Sequence, residues 1–216
     1  LWTSPEQMDK KNRQRYGPDF EQGGAAEFLS GKKVPPFETW FVHGNNENFD
    51  LLRQNENKPL DPSGKLVFIA PGSVRRFEKF GQTITIAGLG GMEYRFGKHP
   101  LPSHEKIQKY LYPPAIEQLQ SQSEPVDILL MHDSPLNKGL RNKFPTGSKR
   151  ITDLISELQP QFLFYGHYDD PPQPFKIGKT FCACMNLQSA LHIPGREGAM
   201  GTLDTEKWNF AFVERI

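Results

Sequence analysis

The chain has 216 residues, a length that favours a single domain and lets roughly 70% of the unfolded surface be buried. Twenty-six lysines and arginines against twenty-five aspartates and glutamates leave a formal charge of +1, which excludes binding nucleic acid mainly through a broad basic face. With 12% aromatic residues and no apolar run approaching ~18 residues, neither a disordered chain nor a membrane-spanning helix is expected.

Residues 1–36 are polar, with turn material at Gly17-Pro18 and Pro35-Pro36, and one helix is expected within Phe20–Ser30, closed by Gly31. The opening residues carry neither the apolar stretch of a signal peptide nor the acid-poor composition of a transit peptide. Leu1 stands where a Met would begin a complete protein, so the expectation is a single domain over 1–216 that begins part-way through something longer. Strands are expected at Thr39–His43, Lys65–Ala70, Thr83–Leu89, Val126–Met131, Gln161–Tyr165, Thr180–Met185 and Asn209–Val213. Helices are expected at Glu47–Arg53, at Ser103–Tyr112 and just after Pro113-Pro114. The strongest helix signal is Ser148–Leu158, where Ser148 suits the N-cap and Ile151, Leu154, Ile155 and Leu158 form one apolar stripe before Pro160. Helical patterns alternating with solidly apolar strands predict an α/β layered fold, built on a mixed sheet or on two packed sheets. Cys182 and Cys184 lie two apart in an apolar strand, on one face and badly placed to bridge each other. They read as free buried thiols in a reducing compartment, and hence as an intracellular, cytoplasmic protein.

The chemistry gathers where three apolar runs end. Thr39–Val42 runs into His43-Gly44-Asn45-Asn46-Glu47, Val126–Met131 into His132-Asp133-Ser134-Pro135, and Gln161–Tyr165 into Gly166-His167-Tyr168-Asp169. Ligands of open α/β sheets bind outside the carboxyl ends of strands. Imidazole, carboxamide and carboxylate groups at three such ends suit a divalent metal such as Mn, Fe or Zn. Each end alone could be a turn or a half-buried polar pair; the conjunction of all three favours a metal site.

These residues resemble the calcineurin-like metallophosphoesterases. Gly44-Asn45-Asn46-Glu47 is similar to their Gly-Asn-His-Asp/Glu motif, Leu130-Met131-His132 to their single-histidine strand end, and Gly166-His167-Tyr168-Asp169 to their Gly-His-x-His motif. The His-Asp-x-Pro form at 132–135 looks most like the RNA lariat debranching branch. The resemblance runs from about Phe37 to Met185 and implies a β-sandwich of mixed sheets flanked by helices, with one or two metal ions at the strand ends. It implies phosphodiester hydrolysis by a metal-activated hydroxide, the ions lying roughly 3.5–4 Å apart where both are present. Asn45, His132, His167 and Asp169 would be the metal ligands, Asp169 standing where the family has a second histidine. Asn46 and Asp133 are the catalytic candidates. Asn46 replaces the family's histidine, and an amide donates to a phosphate but cannot serve as a general acid. The family's leading Asp-x-His and Gly-Asp motifs do not occur before Asn45.

Two readings follow. One is a metal-dependent phosphoesterase acting on a phosphorylated small molecule or a nucleic-acid phosphodiester. The other is a degenerate phosphoesterase fold serving as a protein-binding module, because fold does not fix function. Elsewhere the residues favour structural duties. Gly88-Leu89-Gly90-Gly91 reads as a tight turn, Arg75, Arg76 and Arg141 as solvated charge, His99 and His104 as surface residues, and Ser134 as no nucleophile.

Overall fold

The computed structural model describes residues 24–79, 81–94, 108–141, 144–168, 174–185 and 200–213. In chain order these residues form α1 (Gly24–Leu29), β1 (Thr39–Phe41), α2 (Phe49–Gln54), β2 (Leu66–Phe68), β3 (Val74–Lys79) and β4 (Gln82–Leu89). They continue with α3 (Pro113–Gln120), β5 (Ile128–Met131), β6 (Gly139–Arg141), β7 (Phe144–Thr146), α4 (Lys149–Leu158) and β8 (Phe162–Tyr165). The last elements are β9 (Phe175–Ile177), β10 (Thr180–Cys184), β11 (Gly201–Asp204) and β12 (Asn209–Phe212).

The frame is a six-stranded mixed sheet of order β3-β4-β5-β8-β10-β9. Its four central strands β4, β5, β8 and β10 run parallel, and β3 and β9 close the edges antiparallel. Parallel strands buried on both sides carry near-continuous apolar sequence, as Ile128–Met131 and Phe162–Tyr165 do. Alternate residues serve opposite faces. Leu129, Met131, Leu163, Tyr165, Cys182 and Cys184 pack against Ala115, Ile116 and Leu119 of α3 and Ile151, Leu154 and Ile155 of α4. Ile128, Leu130, Phe162, Phe164 and Phe181 face Leu203, Trp208 and Phe210 of the β11–β12 hairpin. The parallel β1–β2 pair approaches this second face at Gly88, where a Cβ would lie 2.5 Å from Ile69 Cγ2 and 3.0 Å from Val42 Cγ1. The α/β architecture of mixed strands flanked by helices is therefore the one expected from the sequence.

Helix α4 begins and ends where its residues dictate. Ser148 Oγ accepts from the Ile151 N–H at 3.2 Å, and the chain leaves the helix through Gln159 at φ 47, just before Pro160. Asn48 caps α2 in the same way, accepting from the Leu51 N–H at 3.2 Å. The helix expected at Ser103–Tyr112 is not formed over its described part, 108–112. There the Met92 N–H donates to Lys109 O, and the Leu111 N–H donates to Met92 O, holding this stretch extended beside residue 92. Pro113 then keeps Tyr112 extended at φ −91, ψ 109. Residues 103–107, with His99 and His104, lie outside the described residues.

Strand β3 is unexpected because its sequence, VRRFEK, is dominated by charge; among the described residues it pairs with β4 alone. Arg75, expected as solvated charge, instead donates from Nη2 to the Asn57 carbonyl at 2.6 Å and pins the loop before β2. Arg76 pairs with Glu124 on the surface.

Cys182 and Cys184 are free and buried, and burial pushes the Cys182 thiol up to about 12, leaving it a packing residue. The glycine-rich end of β4 is a packing device. A Cβ at position 90 would sit 2.3 Å from His43 Cδ2, and Gly91 turns the chain at φ +82. Gly90→Ala is expected to destabilise the fold by at least about 2 kcal/mol, read as a lower urea midpoint at unchanged slope, since rigid backbone and a buried imidazole cannot both give way. Among the described residues no helix is long and apolar enough to cross a membrane.

Candidate functional site

Three segments meet above the carboxyl ends of the strands. The first leaves the β1–β2 pair as His43-Gly44-Asn45, and its turn is held by the Gly44 N–H donating to Glu47 Oε1 at 3.2 Å. Gly44 lacks a Cβ where one would lie 3.1 Å from His132 Cε1, so the absence of a side chain lets the loop lie against the imidazole. The second segment is His132 at the end of β5. The third is Gly166-His167 after β8, tied to the second by the Gly166 N–H donating to His132 O at 3.3 Å.

The side chains converge. His132 Nε2 lies 3.1 Å from Asn45 Oδ1 and 2.9 Å from His167 Nδ1, with the two imidazole rings edge to face at 4.7 Å. Asn46 stands exposed at the rim, its amide 3.4 Å from Asn45 Oδ1. His167 has a left-handed backbone at φ +69, unusual for a residue with a Cβ, and that backbone directs its ring toward His132. Burial, then the neighbouring His167 and His43, pushes the His132 imidazole down to about 3. The ring is therefore neutral at ordinary pH, the form in which imidazole offers a lone pair to a metal.

Asp133 is placed differently. Its carboxylate is buried, and it accepts from the Ser134 N–H at 2.8 Å, the Glu93 N–H at 2.7 Å and the Tyr168 hydroxyl at 3.0 Å. The structure thus brings together Asn45, Asn46, His132 and His167 and turns Asp133 into the protein behind them. Asp169 lies outside the described residues.

Sequence reading missed the supporting set. His43 is 5% exposed, donates from Nδ1 to Gly44 O at 2.7 Å and packs against Phe49 and Phe68. Burial lowers its affinity for a proton. Glu93 receives the Ser148 hydroxyl, linking the site to the start of α4. No spacing rule singles out Glu93, because its partners are 40 and 55 residues away. A His immediately before the Gly-Asn turn was a visible signal for His43.

The donor set fits one divalent ion in part. Metal–ligand bonds near 2.1 Å put neighbouring ligands about 3.0 Å apart on an octahedral ion and about 3.4 Å apart on a tetrahedral one, and the two donor separations here, 2.9 and 3.1 Å, are nearer the octahedral spacing. None of the three donors is a carboxylate, and among the described residues no three His, Cys, Asp or Glu side chains cluster to hold an ion. Nothing described supplies a second site.

No family model matches the chain. The chain is 27% identical to the lariat debranching enzyme of Arabidopsis thaliana over an alignment of 165 residues, which covers 65% of this chain and 38% of that enzyme. It therefore spans well under half the length of the relative it matches. Two solved structures share its fold. One superposes with a TM-score of 0.56 at 14% identity, over 82% of this chain and 65% of its own. The other, TT1561 of Thermus thermophilus, superposes with a TM-score of 0.51 at 18% identity, over 80% of this chain and 70% of its own.

Proposed function

We propose that this chain is a phosphoesterase-type domain, acting on a phosphodiester with the help of one divalent ion held by Asn45, His132 and His167. The observation that carries the reading is the convergence of three donor atoms from three separate segments, with Asn45 Oδ1 and His167 Nδ1 both within 3.1 Å of His132 Nε2. The distant likeness to a lariat debranching enzyme supports a phosphodiester, and a nucleic-acid one in particular, as the substrate class. When bound, the ion would supply Lewis acidity and an activated water. The chain's own part is to present two imidazole nitrogens and an amide oxygen without positive charge, and to offer the exposed Asn46 amide to a phosphate oxygen. Mn, Fe and Zn all accept such donors.

Titration of metal-stripped protein with Mn²⁺ and with Zn²⁺ by calorimetry tests the reading. The expected result is one ion per chain, with slow hydrolysis of bis-(p-nitrophenyl) phosphate that rises with ion occupancy. A chain that binds neither ion would overturn it. One that binds an ion but never hydrolyses the diester would favour the binding-module reading, which the amide at position 46 also favours.

A further inference from the structure

We propose that Tyr168 and Asp133 form a latch that sets the spacing between His132 and His167, making both positioning residues of the candidate centre. The inference rests on the metal-centre reading above.

Each histidine is followed in the chain by the residue that bonds the other histidine's neighbour. His132 meets His167 at 2.9 Å on the side of the candidate centre, and Asp133 meets the Tyr168 hydroxyl at 3.0 Å on the interior side. Between these two contacts the Gly166 N–H donates to His132 O at 3.3 Å, so the loops after β5 and β8 are tied at three successive points. Asp133 is 2% exposed and Tyr168 7%, which places this interior tie away from water, where a hydrogen bond to a carboxylate holds best.

The anchor is itself anchored. Glu93 N–H donates to Asp133 Oδ2 at 2.7 Å and Ser134 N–H to Oδ1 at 2.8 Å, while the Glu93 side chain receives the Ser148 hydroxyl at the start of α4. A carboxylate accepting three buried hydrogen bonds can turn toward an ion only by leaving three donors without it.

The strained element is His167, at φ +69. Left-handed backbone is disfavoured for any residue with a Cβ and persists when its surroundings over-determine it. Tyr168, one residue on, is the over-determining group. Its ring packs edge to face on His167 at 4.7 Å, and its hydroxyl is fixed by Asp133. Releasing that hydroxyl frees the 166–168 turn to relax and carry the His167 nitrogen away from His132.

The test is Tyr168→Phe in the full chain, which keeps the ring and removes one hydroxyl. Calorimetric titration with Mn²⁺ and Zn²⁺ should show affinity 10- to 100-fold weaker, the range seen when a partner that orients a metal-binding histidine is lost. A residue that merely supports the fold would lower the denaturation midpoint and leave the folded chain's affinity for the ion unchanged. Unchanged affinity in Tyr168→Phe, with affinity lost in His132→Ala, would overturn the latch and leave the metal centre standing. Wild-type protein that binds neither ion would remove the metal centre and the latch together. If Tyr168→Phe does not fold, Asp133→Ala, which removes the acceptor of the Tyr168 hydroxyl, is judged by the same criterion.

Discussion

His132→Ala should cost more than about 100-fold in affinity for Mn²⁺ or Zn²⁺, and at least as much in any metal-dependent hydrolysis. His132 Nε2 is the atom that approaches both other donors, at 3.1 Å to Asn45 Oδ1 and 2.9 Å to His167 Nδ1. Without it an amide oxygen and one imidazole remain, carried on loops that no longer meet through a shared partner. The fold should survive, because the core clusters behind β5 do not include this side chain. Calorimetry on the metal-stripped variant, with circular dichroism as the check on folding, decides the matter. Binding at wild-type strength would mean that the ion sits elsewhere.

Acid should destabilise the metal-free chain well above the range in which carboxylates titrate. Burial first, then His167 and His43, pushes His132 from an ordinary value of 6.5 down to about 3, and burial also lowers His43. In the unfolded chain both take up protons near pH 6.5, whereas in the folded chain His132 stays neutral and His43 binds its proton less readily. The unfolded state therefore binds more protons, and stability falls as pH drops below 6.5 until the folded groups protonate. For His132 the limiting slope is about 1.4 kcal/mol per pH unit, so it costs on the order of 2 kcal/mol between pH 6.5 and 4.5. Urea unfolding at pH 7.5, 6.0 and 5.0 should show falling midpoints in the wild type and a flatter trend in His132→Gln. A wild-type midpoint constant from pH 7.5 to 5.0 would show that these imidazoles are not held neutral by burial.

The elements legible from sequence were those whose local pattern and tertiary role agree. Ile151, Leu154 and Ile155 face the core at helical spacing with Ser148 capping, so α4 was readable almost residue by residue. The apolar runs of β5 and β8 announced strands covered on both sides. Where charge and contact disagree, the pattern misleads. VRRFEK reads as surface, yet it forms an edge strand whose Arg75 is taken up by a distant carbonyl. Residues 108–112 looked helical, but their backbone is claimed by Met92.

At the site the division is equally physical. Residue types at strand ends singled out Asn45, His132 and His167 as candidates, because their donor chemistry and their place after apolar runs are both written in the chain, and the structure brings these side chains together. That Asn45 arrives from a separate two-stranded layer, and that glycines at 44 and 90 make room for two imidazoles, follows from packing between segments far apart in sequence. The same holds for Asp133, which follows His132 just as Asn46 follows Asn45 and carries a more reactive group. Its direction is set by the Glu93 N–H and the Tyr168 hydroxyl, 40 and 35 residues away, and no local pattern encodes which way a carboxylate turns when its donors come from elsewhere in the fold.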